Sequence, residues 1–183
     1  ELKPKLTSEF NIEGYPGPKF MKLVMEVQPE QVTLVPDPPG VLTSTAGWNT
    51  DEKGEFLKGI ITHLKVRGIR TSIFLDPQRA VVEAAAATGT DRIELYTETY
   101  AVGFTEGRKE EAIEPYIKTA EAASAAGLGI NAGHDLDLKN LNYFAMNVPN
   151  LAEVSIGHAL ISDALYYGLE NTIQMYRLQL TQL

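Results

Sequence analysis

The feature that most constrains the fold is a regular alternation of short apolar runs with longer segments that have helical spacing. Each apolar run is bounded by Gly, Pro or polar residues, as is typical of buried strands. A β-α alternation with a repeat of about 30 residues predicts a parallel sheet with helices packed outside it. The predicted strands are 10–15, 32–35, 71–75, 92–97, 128–131 and 154–156.

The segments between these runs predict helices, apart from one long loop. The predicted helices are 18–27, 50–66, 77–87, 107–126, 137–146 and 159–181, the last interrupted near residue 168, and a turn is expected around 99–101. The loop 36–48 holds three prolines and the only tryptophan. Loops of that length are uncommon in compact domains unless they are functional. We therefore predict a lid at the active site.

Two parallel architectures fit this order, an open doubly wound sheet and a (β/α)₈ barrel. Strands of an open sheet are buried on both faces and read as continuous Val, Ile and Leu. Here Glu94 lies between Ile93 and Leu95, and Glu13 follows Ile12, as expected for side chains inside a barrel. Since a complete barrel needs about 250 residues, the 183 residues predict one partial domain, 1–183, covering six β/α units, strands three to eight.

Composition excludes several classes of partner. The net charge is −8, so a nucleic-acid partner is not expected. The chain has no cysteine and only three histidines, which excludes disulfides and makes a metal site unexpected. No apolar run approaches the ~20 residues that span a bilayer, and the first residues do not resemble a signal peptide. We expect a cytoplasmic protein with no membrane partner.

Two of the three histidines follow a glycine at the end of an apolar run, as Gly133-His134 and Gly157-His158. Ligands bind at the carboxyl ends of parallel strands, so these corners predict a site for a phosphorylated substrate and for proton transfer. His158 should begin a helix and, with Gly157, suit a phosphate. The alternative is that both corners are ordinary turns.

Glu13 and Glu94 are the candidate catalytic carboxylates. Apolar neighbours of Glu13 predict a poorly solvated general acid or base, and the alternative is a rim carboxylate paired with a lysine. A charge in the middle of a strand, as at Glu94, is costly unless it is paired or functional. Its alternative role is a structural ion pair. His63 is expected to be structural or on the surface.

Five segments together resemble one enzyme family, the pyridoxine 5′-phosphate synthases. The segments are Asn11-Ile12-Glu13, Leu34-Val35-Pro36, Ile93-Glu94-Leu95, Asn131-Ala132-Gly133-His134 and Ile156-Gly157-His158-Ala159. The resemblance implies a (β/α)₈ barrel of vitamin B6 biosynthesis, a transferase that condenses 1-deoxy-D-xylulose 5-phosphate with 3-amino-2-oxopropyl phosphate. It further implies no metal or organic cofactor, and a homo-oligomer, typically an octamer.

The resemblance also assigns roles to residues. It implies that Glu13 is a proton acceptor, that His134 is a proton donor and that Glu94 stabilises the transition state. Thr43 in the loop is expected to bind the deoxyxylulose phosphate. The residues expected to bind the amino-ketone phosphate are Asp135, Gly157 and His158.

The chain departs from the family pattern at several points. The loop lacks the basic residues that are common in the family, Asp135 replaces a common Gly, and the Asn-x-Asp-His motif of the first strands has no match. We therefore expect little or no synthase activity from the 183 residues alone. Two alternatives stay open: a barrel lyase or isomerase for another phosphorylated sugar, and a non-catalytic fragment.

Overall fold

In a computed structural model, which describes residues 2–37, 40 and 46–181, six parallel strands form one sheet in the order of the chain, β1-β2-β3-β4-β5-β6. The strands are β1 (Asn11–Gly14), β2 (Gln31–Leu34), β3 (Arg70–Leu75), β4 (Arg92–Tyr96), β5 (Gly129–Gly133) and β6 (Leu151–Ser155). Because the strands lie in the order of the chain, each new strand pairs with the one before it, and the sheet grows in one direction only. This is the order of a barrel and differs from that of a doubly wound sheet, in which the strand order reverses.

Helices separate the strands. They are α1 (Pro18–Val27), α2 (Thr50–Lys65), α3 (Val82–Ala87), α4 (Glu98–Thr105), α5 (Lys109–Ala125), α6 (Leu141–Asn147), α7 (His158–Tyr167) and α8 (Leu169–Leu180). Pro18 occupies the first turn of α1, where its missing N–H is not needed. Asn49 caps α2 by accepting a hydrogen bond from the Glu52 N–H at 3.3 Å. Within the described ranges, no helix is long and apolar enough to cross a membrane.

The sheet is curled, because side chains from distant strands meet inside it. Glu13 on β1 lies 3.2 Å from His134 after β5, and Gln31 on β2 donates to Glu153 on β6 at 3.2 Å. In a flat sheet, β1 and β5 would be about 19 Å apart at the usual strand spacing. The preference for a barrel-type α/β fold is thus confirmed in its coarse form, a curled half-barrel.

The two faces of each strand have different surroundings. Side chains on the outer face pack beneath the helices and form the main core, with Leu34, Ile73, Leu95 and Ile130 all fully buried. The inner face carries polar groups. There, Arg92 donates to Glu153 at 2.8 Å and to Asn131 at 3.1 Å, so the interior charges near the amino ends of the strands are paired, as burial requires.

Two predicted helices and one predicted turn differ from the structure. The turn expected at 99–101 is wrong, since α4 occupies it. The helix expected at 77–87 begins instead with a 3₁₀ turn over 79–81, and the Asp76 carboxylate before it accepts the Gly47 N–H through Oδ1 at 3.0 Å. The helix expected at 137–146 begins only at Leu141, because the Asp137 carboxylate accepts the N–H groups of Lys139 and Asn140 at 2.8 and 3.0 Å. Such an Asx turn competes with helical hydrogen bonding.

Candidate active site

Three residues from different strands meet at the carboxyl end of the half-barrel. Glu13 lies on β1, Glu94 on β4 and His134 directly after β5, and one donor atom of each lies within 4.8 Å of the others. His134 Nε2 and Glu13 Oε1 are 3.2 Å apart. The structure therefore brings together the three residues that the sequence predicts to be catalytic.

Glu94 is fully buried in the barrel interior. Burial raises its pKa to about 8, and the nearby Glu13 carboxylate adds to the effect. Its Oε2 accepts a hydrogen bond from the Thr33 hydroxyl at 3.3 Å, while Oε1 has no hydrogen-bond partner in the described part of the chain. At neutral pH Glu94 is mostly protonated, so it can donate a hydrogen bond and adds little negative charge to the site.

Glu13 lies in a more open environment than the sequence predicts. A third of its side chain is exposed, so the expectation of a poorly solvated carboxylate is wrong. The strand β1 is the first in the sheet and pairs only with β2 among the described strands, which leaves its inner side chains open to the cavity. The observed partner of Glu13 is His134, in place of the lysine considered as the alternative.

His134 is held between Glu13 and an aromatic cluster. The hydrogen bond to Glu13 raises the pKa of the His134 imidazole, and burial opposes this effect. Its ring stacks on Phe74 with centroids 4.8 Å apart and meets the edge of Tyr96 at 6.5 Å. A protonated imidazole that is hydrogen-bonded to a carboxylate and oriented by an aromatic ring can exchange a proton with a bound substrate.

The second Gly-His corner lines the same cavity, which has a volume of about 1460 Å³. As predicted, α7 begins at His158, with Gly157 as its N-cap. Both residues are exposed to the cavity, and a helix N-terminus of this kind attracts anions.

Asp135 also lines this cavity. Partial desolvation raises its pKa, and the Glu98 carboxylate adds to the effect, whereas His134 and His158 oppose it. The fourth predicted binding residue, Thr43, lies outside the described residues.

Sequence reasoning missed the residues that orient the catalytic candidates. Phe74 on β3 pairs in register with Glu94, and its position opposite a predicted catalytic carboxylate is the only signal that could have identified it. Thr33 lies inside an apolar strand and its partner Glu94 is 61 residues away. Since both residues are also common in ordinary strands, neither is distinguished by the local sequence.

Glu13, Glu94 and His134 also have the donor atoms to hold a metal ion. One imidazole nitrogen and two carboxylate oxygens suit Zn²⁺ or a similar divalent ion. However, the raised pKa of Glu94 means that a metal must first displace a proton. The cluster therefore fits acid–base chemistry better than metal binding.

A comparison with known protein families connects this geometry to a biological role. The family model described as "Pyridoxal phosphate biosynthesis protein PdxJ" matches residues 1–182. The chain belongs to the PdxJ family. The resemblance found in the strand-end motifs is thereby confirmed over essentially the whole sequence.

Individual relatives agree with this family assignment. A protein of Christiangramia forsetii named pyridoxine 5′-phosphate synthase is 60% identical over 176 residues, which make up 96% of this chain and 74% of the relative. A protein of the same name from Bacteroides fragilis is 54% identical over 177 residues, 97% of this chain and 74% of the relative. Identity of this extent places the PdxJ chain among enzymes of vitamin B6 biosynthesis.

Solved structures with low sequence identity share the fold. A citrate synthase variant aligns with a TM-score of 0.58 at 13% identity, covering 100% of this chain and 77% of the other. A putative fructose-1,6-bisphosphate aldolase from Coccidioides immitis gives a TM-score of 0.57 at 12% identity, covering 95% of this chain and 65% of the other. At such identities the likeness concerns the barrel-type fold alone.

Proposed function

We propose that this PdxJ chain is a pyridoxine 5′-phosphate synthase, which condenses 1-deoxy-D-xylulose 5-phosphate with 3-amino-2-oxopropyl phosphate and releases inorganic phosphate and water. The observation that carries the proposal is the cluster of Glu13, Glu94 and His134 at the strand ends of a PdxJ chain. The enzyme is a transferase that closes a ring by acid–base catalysis.

The proposed chemistry requires several proton transfers in one site. The amine of one substrate forms a Schiff base with the ketone of the other, and loss of phosphate, dehydration and ring closure follow. Each step removes a proton from carbon or nitrogen, or delivers one to a leaving oxygen. In our proposal Glu13 accepts protons and His134 donates them, since the two groups are 3.2 Å apart and exchange protons with one another.

Glu94 has a separate role in this proposal. Its pKa of about 8 keeps the carboxyl protonated at neutral pH, and Oε1 has no partner in the described residues. A neutral buried acid donates a hydrogen bond to oxygen as negative charge develops there. Glu94 would thus stabilise the transition state without repelling a phosphorylated substrate.

The substrate phosphates provide the second part of the proposal. Gly157 and His158 at the start of α7 bind the phosphate of the amino ketone, supported by the helix N-terminus. Asp135 lies beside them, and Thr43 is proposed to bind the deoxyxylulose phosphate. The loop 36–48 acts as a lid that excludes water.

Further parts of the proposal rest on the family resemblance. The six strands are strands three to eight of an eight-stranded barrel in a single domain, and the protein assembles as a homo-oligomer, an octamer in the family. Its reaction uses no metal or organic cofactor. A cytoplasmic location stays a prediction.

The proposed function is tested in the complete eight-stranded barrel, as are all turnover measurements below, because the 183 residues alone are expected to have little or no synthase activity. This protein is incubated with each phosphate alone and with both together, and the products are identified by mass spectrometry. We expect pyridoxine 5′-phosphate and inorganic phosphate only when both substrates are present. We also expect each phosphate to raise the melting temperature, since a ligand that binds only the folded state stabilises it. Conversion of a single sugar phosphate without the amino ketone would support the lyase or isomerase alternative and contradict the proposal.

A further inference from the structure

The backbone that carries His134 has an unusual conformation. His134 has a φ of +71°, and the Asp135 N–H donates to the Gly133 carbonyl across it at 3.1 Å. This is the hydrogen bond of a three-residue γ-turn, which is rare and strained when the central φ is positive. A residue other than glycine keeps such a conformation only where its surroundings enforce it.

A single hydroxyl group spans this turn. Thr97 Oγ1 donates to the Gly133 carbonyl oxygen and accepts the Asp135 N–H at 3.1 Å. Thr97 is fully buried, so water does not compete for these bonds. The hydroxyl thus contacts the residue before His134 and the residue after it.

Thr97 lies where a threonine usually caps a helix, but its side chain does not do so. Thr97 is the N-cap of α4, where a threonine side chain normally accepts a hydrogen bond from the second or third residue of the helix. Its side chain makes no such bond. The hydroxyl is directed at the turn of the neighbouring β5 strand, away from the helix that it precedes.

We propose that Thr97 is a positioning residue for His134: its hydroxyl holds the turn Gly133–Asp135 in the conformation that directs the imidazole toward Glu13. Phe74 supports the flat side of the ring, and the His134 N–H is fixed to the Ser155 carbonyl at 3.0 Å. The catalytic part of this inference rests on the proposed function, while the geometric part does not.

Removal of the hydroxyl tests the proposal. Thr97→Val keeps the shape of the side chain and loses both hydrogen bonds, so the turn relaxes and the imidazole moves away from Glu13. A displacement of ~1 Å at a reacting group lowers turnover by about 100-fold, and we expect this loss in kcat with KM changed far less. Thr97→Ser keeps the hydroxyl and should restore kcat.

The decisive readout is the titration of His134, followed by NMR in the absence of substrate. The chain has only three histidines, and His134→Ala assigns the signal. The titratable groups that face the ring are the carboxyl groups of Glu13, Glu94 and Asp135 and the phenol of Tyr96. Because the hydrogen bond to Glu13 raises the pKa of His134, Thr97→Val should lower it toward the ordinary value, whereas Thr97→Ser should leave it unchanged.

Thr119→Val is the matched control. Thr119 is also fully buried, and its hydroxyl donates to the Pro115 carbonyl at 2.8 Å within α5, away from the site. This variant should change neither the His134 titration nor kcat. An unchanged titration in Thr97→Val would overturn the proposal. A shifted titration in a protein that makes no pyridoxine 5′-phosphate would uphold the positioning role and refute the proposed function instead.

A second measurement applies if Thr97→Val does not fold. In the unaltered protein, the Thr97 hydroxyl proton should exchange slowly and give a nuclear Overhauser effect to the Asp135 amide proton, because the two groups are hydrogen-bonded. The absence of this contact in a protein whose other buried hydroxyl protons are observed would contradict the proposal.

Discussion

Replacing Glu94 by glutamine should change how the stability of the protein depends on pH. Glu94 is fully buried, and glutamine has the same shape, can still accept the Thr33 hydroxyl, and does not ionise. In the folded protein the carboxyl keeps its proton up to a pKa of about 8, against an ordinary value of 4.5. The folded state therefore binds one more proton than the unfolded state between these two values.

The sign and the size of the effect follow from this difference. A group whose pKa is raised by folding contributes stability that is fully present below its unfolded pKa and is lost as pH rises through its folded pKa. Each pH unit between 4.5 and about 8 changes the free energy of unfolding by about 1.4 kcal/mol. Across the whole interval, ionisation of Glu94 should lower the free energy of unfolding by about 5 kcal/mol. This loss stays constant at pH values above the folded pKa of about 8.

Urea denaturation at a series of pH values from about 5 to 9 measures this effect. We expect Glu94→Gln to gain stability relative to the unaltered protein as pH rises, until the difference levels off above pH 8. Glu83→Gln, which removes an exposed carboxylate on α3, should leave the pH dependence unaltered. A stability difference between Glu94→Gln and the unaltered protein that is the same at every pH would refute the reasoning.

Two further substitutions test the packing around the site. Gly133→Ala would place a methyl group in overlap with the Ser155 carbonyl oxygen and 3.0 Å from Glu94 Oε1, and should destabilise the protein by about 1–3 kcal/mol; an unchanged melting temperature would contradict this packing. Trp48→Phe removes the indole N–H that donates to the Leu34 carbonyl at 2.8 Å, and should cost about 1–3 kcal/mol. Denaturation followed by far-UV circular dichroism measures it, and an unshifted midpoint would show that this hydrogen bond contributes nothing.

Much of the fold follows from the sequence, because buried parallel strands form short apolar runs between turn residues. All six predicted strands are present. The helix α4, which lies where the sequence predicts a turn, is stabilised by contacts with residues distant in sequence. The fully buried Tyr100 packs its ring against Tyr116 and Phe144, with centroids 5.9 and 5.0 Å apart. Helical periodicity within eight residues carries too little of that information.

In the candidate site, too, some residues can be predicted from the local sequence and others cannot. A charge inside an apolar strand is unusual and indicates Glu94, and a Gly-His corner at the end of a strand indicates His134. Phe74, Thr33 and Thr97 are ordinary residues for a strand or a helix start, and their roles come from partners on other strands. The exposure of Glu13 differs from the prediction, because it depends on the position of β1 in the sheet and not on the residues next to Glu13 in the sequence.

The most direct test of the central claim is the turnover of Glu13→Gln, made in the complete eight-stranded barrel, with both phosphorylated substrates. The substitution keeps the size of the side chain and removes the group that accepts protons beside His134. Loss of a general acid–base group costs about 10²–10⁴-fold in rate, so the rate of pyridoxine 5′-phosphate formation should fall by that factor, while Glu26→Gln on the exposed face of α1 keeps the full rate. A Glu13→Gln protein that forms pyridoxine 5′-phosphate at the unaltered rate would contradict the account.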